Sequence, residues 1–261
     1  MNVGRVLIPC GGRGTRMASL TRGAPKELLE VAGVPVVIRV LEECAKSGIT
    51  DALVVIAPDK TELVERLAPL SGTPGMPASI RFAVQKEPRG LADAIRLGRA
   101  FSCGLPMAVA LPDNLFGGDE AAMKQVADTH IATGKSVVAM VEISADDAAR
   151  RGPTSVYPGH LEGDEYVIDR IPGKGERETT FDTGGLRSAF TGVGRYVFNS
   201  DVFDVIDAVE LSLPSGAELD DVPVMQHLLS AGGLTGRRIR GKFFDVGLIS
   251  GYEEATREYG D

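Results

Sequence analysis

Short apolar runs alternate with amphipathic segments through the first 143 residues of the chain. The runs are typical of strands buried on both faces. The segments between them repeat apolar residues every three or four positions, which indicates helices with one buried face. This pattern predicts strands at 6–8, 52–57, 80–84, 106–111 and 136–143, and helices at 35–47, 59–70, 90–101 and 118–133.

The pattern changes after residue 143. It predicts strands at 154–157, 166–171, 188–198, 234–240 and 242–246, helices at 201–208, 220–230 and 251–259, and a charged, glycine-rich loop at 172–186. The alternation in the first half predicts an α/β fold, a Rossmann-like and mostly parallel sheet with helices on both faces. The second half predicts a small mixed α+β part on the same core. We therefore expect one domain over 1–261, with halves 1–143 and 144–261.

Composition excludes several classes of protein. The net charge of −8 gives no general basic face, so nucleic acid is not an expected partner. No apolar run approaches the roughly 18 residues of a membrane span, and the apolar N-terminal stretch is too short for a signal peptide. The three cysteines lie far apart and form neither a zinc site nor a disulfide framework, and Cys10 is expected to be a small buried filler. We expect a cytoplasmic protein without a membrane partner.

The segment after the first strand is poor in side chains and rich in positive charge. Three glycines fall within four positions, cations follow or interrupt them, and no acid lies between residues 6 and 26. Glycine lets the backbone approach a ligand closely, and successive N–H groups can form an anion-binding concavity, so the segment suits a polyphosphate. These residues are Gly11, Gly12 and Gly14, and Arg13, Arg16 and Lys26.

Two familiar glycine motifs are absent from this segment. No lysine stands at the spacing of a Walker loop, and Met17 replaces the third glycine of the dinucleotide fingerprint. A tight strand-to-helix turn with solvated arginines is the alternative interpretation, although the segment is longer and more charged than a turn needs.

The sequence GGRGTR at 11–16, followed by PKELL at 25–29, resembles the opening of the sugar-1-phosphate nucleotidyltransferases. The glucose-1-phosphate uridylyltransferases and thymidylyltransferases are the most similar in appearance. The resemblance covers roughly 3–259 and is strongest before residue 120. It implies an enzyme that joins UTP or dTTP to a glucose-1-phosphate-like sugar 1-phosphate, releases pyrophosphate, requires Mg²⁺ and forms a dimer or tetramer.

Two acids follow apolar strands far apart in the chain. Asp113 follows the strand at 106–111, and Asp245 lies in the segment FFDVG at 243–247. Taken alone, Asp113 is as readily a helix cap or a turn former, and the alternative interpretation of Asp245 is a cap of the last helix. The resemblance implies that both are metal ligands, and two carboxylates with phosphate oxygens form the set that Mg²⁺ prefers.

The resemblance also assigns the remaining site residues. It implies that Gln85 faces the base. The Gln85 amide carries both a donor and an acceptor, so it can pair with the edge of uracil or thymine. Gly90 would leave room for the plane of the base. The family's Glu-Lys-Pro sugar segment is replaced by DRIP at 169–172, so either Arg170 or Lys174 would contact the sugar phosphate. The expected site comprises Arg16, Lys26 and Asp113 as catalytic residues, Gly11, Gly12, Gly14, Thr15, Gln85 and Gly90 for the nucleotide, Asp169, Arg170, Lys174 and Gly194 for the sugar phosphate, and Asp113 and Asp245 for the metal.

The implied reaction is in-line attack of the sugar-1-phosphate oxygen on the α-phosphorus of the triphosphate. Positioning and charge neutralisation dominate such a step, and the nucleophile is already ionised, so no general base is needed. Arg16 and the loop amides would hold the β- and γ-phosphates, and Lys26 the α-phosphate. Two alternatives stay open: a cytidylyl-, adenylyl- or guanylyltransferase acting on another phosphate, and a non-catalytic protein that binds nucleotide sugars in a regulatory role.

Overall fold

A computed structural model of the protein describes residues 3–12, 14, 17–21, 23–151, 155–173, 188–214 and 216–260. The strands are β1 (Arg5–Cys10), β2 (Glu30–Val31), β3 (Val34–Pro35), β4 (Asp51–Ile56), β5 (Ser79–Val84), β6 (Met107–Ala110), β7 (Asn114–Gly117), β8 (Ser136–Ser144), β9 (Gly159–Glu162), β10 (Glu165–Ile168), β11 (Ser188–Phe198), β12 (Leu234–Arg238) and β13 (Lys242–Asp245). The helices are α1 (Ala18–Thr21), α2 (Val36–Lys46), α3 (Thr61–Leu67), α4 (Leu91–Arg96), α5 (Arg99–Ser102), α6 (Ala122–Thr133), α7 (Ala145–Arg151), α8 (Val202–Ser212), α9 (Asp221–Ser230) and α10 (Ile249–Gly260).

The described strands form one nine-stranded mixed sheet in the order β5-β4-β1-β6-β11-β8-β12-β10-β9, with two short ribbons, β13-β7 and β2-β3. Strands β5, β4, β1 and β6 run parallel. Strand β11 is antiparallel to both of its neighbours, β6 and β8, and β12 is parallel to β8. Because β11 inserts between two strands of the first half, both halves of the chain share this sheet. The division at residue 143 stays a prediction.

Each face of the sheet carries its own apolar layer of helices. Successive side chains of a strand point to opposite faces. Val6 and Ile8 of β1 therefore pack with α2, α3 and α6, while Leu7 between them packs with α4, α8 and α9. All three side chains are fully buried, and each such burial stabilises the fold by roughly 1.5–3 kcal/mol. The predicted α/β fold, with a parallel core and helices on both faces, is confirmed.

Two predicted helices differ from the structure. The helix predicted at 90–101 is divided into α4 and α5 around Gly98, where a Cβ atom would lie 2.7 Å from Met107 Cε. The backbone at this position thus packs closely against the side chains of Met107 and Leu7 on the sheet. The helix predicted at 118–133 begins only at Ala122, because Gly118 has a φ of 143°, which lies outside the right-handed helical region.

The strand predicted at 154–157 is wrong for the part of it that the structure describes. Residues 155–157 are not in a strand, and the strand lies instead at β9. It forms a hairpin with β10 through Gly163, whose φ of 66° favours glycine. Its side chains are largely exposed at the sheet edge, so it has no buried apolar face that a hydrophobicity pattern could detect.

Of the helices in the described ranges, none combines the length and apolar character that a membrane crossing requires.

Candidate active site

The short ribbon of β7 and β13 brings two distant aspartates together. The strands pair antiparallel with Asp245 opposite Asn114, and the backbone N–H of Val246 donates to the carbonyl oxygen of Asp113 at 2.9 Å. A Cβ atom on Gly247 would lie 3.1 Å from Asp245 Oδ1 and 3.2 Å from Asp113 Oδ2. Both carboxylates therefore border one small space that exists because residue 247 has no side chain. The role of the two acids as metal ligands stays a prediction.

Lys26 forms an ion pair with one of these carboxylates. Its Nζ donates to Asp113 Oδ2 at 2.6 Å, and Asn114 Nδ2 donates to Asp113 Oδ1 at 3.1 Å. Burial alone would lower the pKa of the Lys26 ammonium, but the charge of Asp113 and the hydrogen bond to it raise this pKa overall. The lysine stem passes Gly14, where a Cβ atom would lie 3.1 Å from Lys26 Cδ. Glycine at position 14 thus gives a cationic side chain access to the aspartate pair.

A buried guanidinium supports the turn that carries Asp113. The side chain of Arg195 is fully buried and donates to both carboxylate oxygens of Glu43, at 3.0 and 2.6 Å. It also donates to the carbonyl oxygens of Leu111 and Asn114, at 3.1 and 2.8 Å. These carbonyl groups lie on either side of Asp113 in the chain. The Arg195–Glu43 pair therefore holds the backbone of the turn that carries Asp113 in place. The sequence could not reveal this pair because its members lie 152 positions apart.

Gly194 packs against the same turn. Its N–H donates to Asn114 Oδ1 at 2.8 Å, and the N–H of Leu111 donates to its carbonyl oxygen at 2.9 Å. A Cβ atom on Gly194 would lie 2.8 Å from Asn114 Oδ1. In the structure this glycine supports Asp113; its predicted contact with a sugar phosphate stays a prediction.

A second buried ion pair lies beneath the glycine-rich segment, which is the stretch at 11–14 after β1. Lys60 Nζ donates to the carbonyl oxygens of Cys10 and Gly12, both at 2.7 Å, and to Glu27 Oε1 and Oε2 at 2.9 and 2.8 Å. Glu27 is 1% exposed and immediately follows Lys26. Burial raises the pKa of the Glu27 carboxyl group, although the Lys60 ammonium opposes this shift. One ammonium thus joins the glycine-rich segment to the turn that carries Lys26.

Three residues predicted to bind phosphate, Arg13, Thr15 and Arg16, lie outside the described residues. Cys10, by contrast, is described and fully buried. Burial raises the pKa of its thiol well above the usual value. The prediction that Cys10 is a buried filler is therefore confirmed.

A cavity of about 300 Å³ opens between the glycine-rich segment and Asp113. It is lined by Gly11, Gly12, Lys26, Gln85, Gly90 and Asp113, all of them predicted site residues. A second cavity of about 620 Å³ adjoins it and shares Gly11, Lys26 and Gln85. The structure therefore places the described part of the predicted nucleotide site around one continuous opening.

Gln85 and Gly90 lie together at the edge of this opening. The Gln85 side chain is nearly buried, and its Nε2 donates to the carbonyl oxygen of Gly90 at 3.1 Å and to Asp93 Oδ2 at 2.8 Å. Gly90 has a φ of 112°, and any Cβ atom there would clash with the carbonyl oxygen of Leu219. Only glycine fits this position. Asp93 was not singled out from the sequence, where it looks like an ordinary polar residue of a helix.

The chain matches a known family over almost its whole length. The nucleotidyl transferase family profile matches residues 5–261. The chain belongs to the nucleotidyl transferase family. The resemblance to sugar-1-phosphate nucleotidyltransferases drawn from the glycine-rich segment is thereby confirmed.

Individual members of the nucleotidyl transferase family are similar over their full length. A Bacillus subtilis (strain 168) protein provisionally named UTP–glucose-1-phosphate uridylyltransferase is 30% identical over 95% of this chain and 93% of its own. UTP–glucose-1-phosphate uridylyltransferase 1 of Staphylococcus saprophyticus is 26% identical, over 99% of this chain and 93% of its own. A crystal structure of UDP-glucose pyrophosphorylase complexed with UDP-glucose covers 98% of both chains with a TM-score of 0.80 and 22% identity, which shows the shared fold.

Two of the residues predicted to bind the sugar phosphate, Asp169 and Arg170, are less enclosed than the described residues predicted to bind the nucleotide. Asp169 and Arg170 follow β10 and are exposed, and neither lines the cavity that Lys26 and Asp113 share. Lys174 lies outside the described residues. The sugar-phosphate roles of all three stay predictions.

The structure adds a buried polar pair that the sequence did not indicate. Tyr196 Oη donates to Asp221 Oδ2 at 3.3 Å. Burial is the main cause that raises the pKa of the Tyr196 phenol well above its usual value, and the charge of Asp221 adds to it. The phenol therefore stays a neutral hydrogen-bond donor.

Proposed function

We propose that this nucleotidyl transferase joins UTP to a glucose-1-phosphate-like sugar 1-phosphate, giving a UDP-sugar and pyrophosphate, with dTTP as the alternative nucleotide. The observation that carries the proposal is that Asp113 bonds to Lys26, shares the space beside Gly247 with Asp245, and lines with Lys26 and Gln85 one cavity. The names of the relatives support the choice of UTP and glucose 1-phosphate.

The aspartate pair suits Mg²⁺ as the cofactor. The part of the chain that the structure describes holds no group of three or more His, Cys, Asp or Glu residues able to bind a metal. Mg²⁺ needs no such group, because it is commonly held by one or two carboxylates and completed by substrate phosphates and water. The space that Gly247 leaves between Asp113 and Asp245 offers two such carboxylates. When bound there, Mg²⁺ would neutralise charge on the phosphate oxygens.

The residues of the chain supply positioning and further charge. The glycine-rich segment brings backbone N–H groups close to the triphosphate, and the Lys60–Glu27 pair fixes that backbone. Lys26 lies on Asp113, so its ammonium reaches phosphate oxygens held at the aspartate pair. A sugar-phosphate oxygen forms the new bond to the α-phosphorus as the bond to the β-phosphate oxygen breaks, and pyrophosphate leaves with the electron pair. No proton transfer is required, because the attacking phosphate is already ionised near neutral pH.

Pyrophosphate release tests this proposal. The purified protein should release pyrophosphate from UTP only when glucose 1-phosphate and Mg²⁺ are both present. We expect EDTA to stop the release and excess Mg²⁺ to restore it. Without the cation, the two carboxylates and the reacting phosphates all carry negative charge, and the carboxylates cannot neutralise the phosphates. Release that persists in EDTA would contradict the metal site. Tight binding of both substrates without release would instead support a non-catalytic role.

A further inference from the structure

The amide of Gln85 is held in one orientation by its neighbours. Its Nε2 faces two groups, Asp93 Oδ2 at 2.8 Å and the carbonyl oxygen of Gly90 at 3.1 Å. A carbonyl oxygen and a carboxylate only accept hydrogen bonds. The side of the amide that carries the NH₂ group must therefore face helix α4, and the reverse orientation would place three oxygens together.

Asp93 is itself fixed as an acceptor. Arg96 Nη2 donates to Asp93 Oδ1 at 2.7 Å, and a guanidinium has no lone pair to offer in return. The other branch of Arg96 donates to Glu210 on α8, and Arg89 Nη2 donates to the same Glu210 at 2.6 Å. Two arginines and the Glu210 carboxylate thus hold Asp93 in place, and the Asp93 side chain is mostly shielded from solvent.

The opposite side of the Gln85 amide is turned toward the glycine-rich segment. A Cβ atom on Gly11 would lie 2.7 Å from Gln85 Oε1, so this oxygen lies against a position without a side chain. Gln85 Oε1 accepts no hydrogen bond from the residues that the structure describes. Gln85 and Gly11 both line the cavity that contains Lys26 and Asp113. The amide therefore offers this cavity a hydrogen-bond acceptor and no donor.

We infer that Asp93 determines nucleobase specificity by fixing Gln85 with its oxygen toward the nucleotide cavity. This inference rests on the proposed function and extends it. An acceptor at this point pairs with a base that carries a ring N–H on its Watson–Crick edge, as uracil and thymine do at N3. It disfavours cytosine and adenine, whose corresponding ring nitrogens are acceptors, because two facing acceptors leave both groups unpaired. Asp93 is a positioning residue that acts through Gln85.

Replacing Asp93 by asparagine tests the inference. Asparagine can donate as well as accept, so the Gln85 amide becomes free to turn and present its NH₂ group to the cavity. We expect the ratio of kcat/KM for UTP to kcat/KM for CTP to fall at least about 10-fold, since one mispaired buried group changes an equilibrium by about that factor or more. The measurement is pyrophosphate release with UTP and CTP at saturating glucose 1-phosphate and Mg²⁺.

Glu210→Gln is the matched control. It removes the charge of the second carboxylate bonded to Arg96 but does not contact Gln85. We expect its ratio of UTP to CTP use to equal that of the wild type. An unchanged ratio in a folded Asp93→Asn variant would overturn the inference. So would an equal fall in both variants, because that would assign the effect to charge around Arg96 and not to the contact with Gln85.

Two further measurements keep the inference testable on its own. If the wild type releases no pyrophosphate, the proposed function fails, and calorimetric binding of UTP and CTP to wild type and Asp93→Asn still measures the specificity ratio. If Asp93→Asn does not fold, Gln85→Met removes the amide and should lower the same ratio at least about 10-fold. A Gln85→Met protein that discriminates UTP from CTP as the wild type does would overturn the inference.

Discussion

Replacing Asp113 by asparagine is expected to lower kcat/KM for pyrophosphate release about 10³-fold, the upper end of the range for one lost electrostatic contact. The substitution preserves the shape of the side chain and removes its charge. It leaves only Asp245 as a carboxylate beside Gly247, so the proposed metal site loses half of its protein charge. The measurement is steady-state kinetics with UTP and glucose 1-phosphate at several Mg²⁺ concentrations.

The same substitution should change stability little. The Lys26 and Asp113 side chains are 19% and 21% exposed, and partly exposed ion pairs contribute about 1 kcal/mol or less to the free energy of unfolding. Asp119→Asn is the matched control, because Asp119 is an exposed acid a few residues later in the chain. It should retain wild-type kinetics. Wild-type turnover in Asp113→Asn would exclude Asp113 as an essential ligand.

The largest expected loss of stability follows from replacing Lys60 by methionine. Glu27 would then be buried without its partner, and removing one member of a buried pair lowers the free energy of unfolding by about 3–5 kcal/mol. The carbonyl oxygens of Cys10 and Gly12 would lose the same donor. Urea denaturation of the variant and the wild type measures the difference.

This loss should depend on pH in a defined direction. Burial already raises the pKa of Glu27 in the folded protein, and removing the Lys60 ammonium removes a group that lowers it. A carboxyl group with a raised pKa in the folded state binds its proton more tightly there than in the unfolded chain. Stability is then retained at low pH and lost as the pH rises through the folded-state pKa. The deficit of Lys60→Met relative to wild type should therefore be larger at pH 8 than at pH 5.

A double variant separates the ion pair from the position of the glycine-rich segment. Glu27→Gln combined with Lys60→Met removes both charges, and replacing a whole buried pair is often close to neutral. It should recover part of the lost stability but not the support of the two carbonyl groups, so we expect both Lys60→Met and the double variant to have a higher KM for UTP than the wild type. A single Lys60→Met variant as stable as the wild type at pH 8 would contradict the importance of this pair.

The sequence predicted the parallel core and the position of Asp113 for the same reason. A continuous apolar run such as that of β4 is buried on both faces of the sheet. Such runs are typical of parallel strands covered by helices on both sides, so they predict the parallel core. An acid just after such a run, like Asp113, lies at the edge of the sheet where ligands bind. The proximity of Asp245 depended on the family resemblance, because the ribbon of β7 and β13 is too short to be recognised from periodicity.

The supporting residues could not be predicted, because each is a charged side chain that is shielded only when separate elements of the fold pack together. Lys60 and Glu27 read as solvated residues, as do Glu43 and Asp93, since nothing local marks a charge as buried. Glu43 and Asp93 lie on helices α2 and α4, and Lys60 and Glu27 lie on the loops next to the glycine-rich segment. These positions hold the predicted site residues in place, so they matter to the proposed activity although they carry no motif.

The most direct test of the central claim is the position of the metal in a complex. A crystal of the protein with Mn²⁺ and a UTP analogue that cannot release pyrophosphate would locate the ion by its anomalous scattering. We predict one peak at the space beside Gly247, with oxygens of both Asp113 and Asp245 about 2.1 Å from the ion and a phosphate oxygen completing its shell. An ion bound to the triphosphate with neither aspartate in contact would contradict the account.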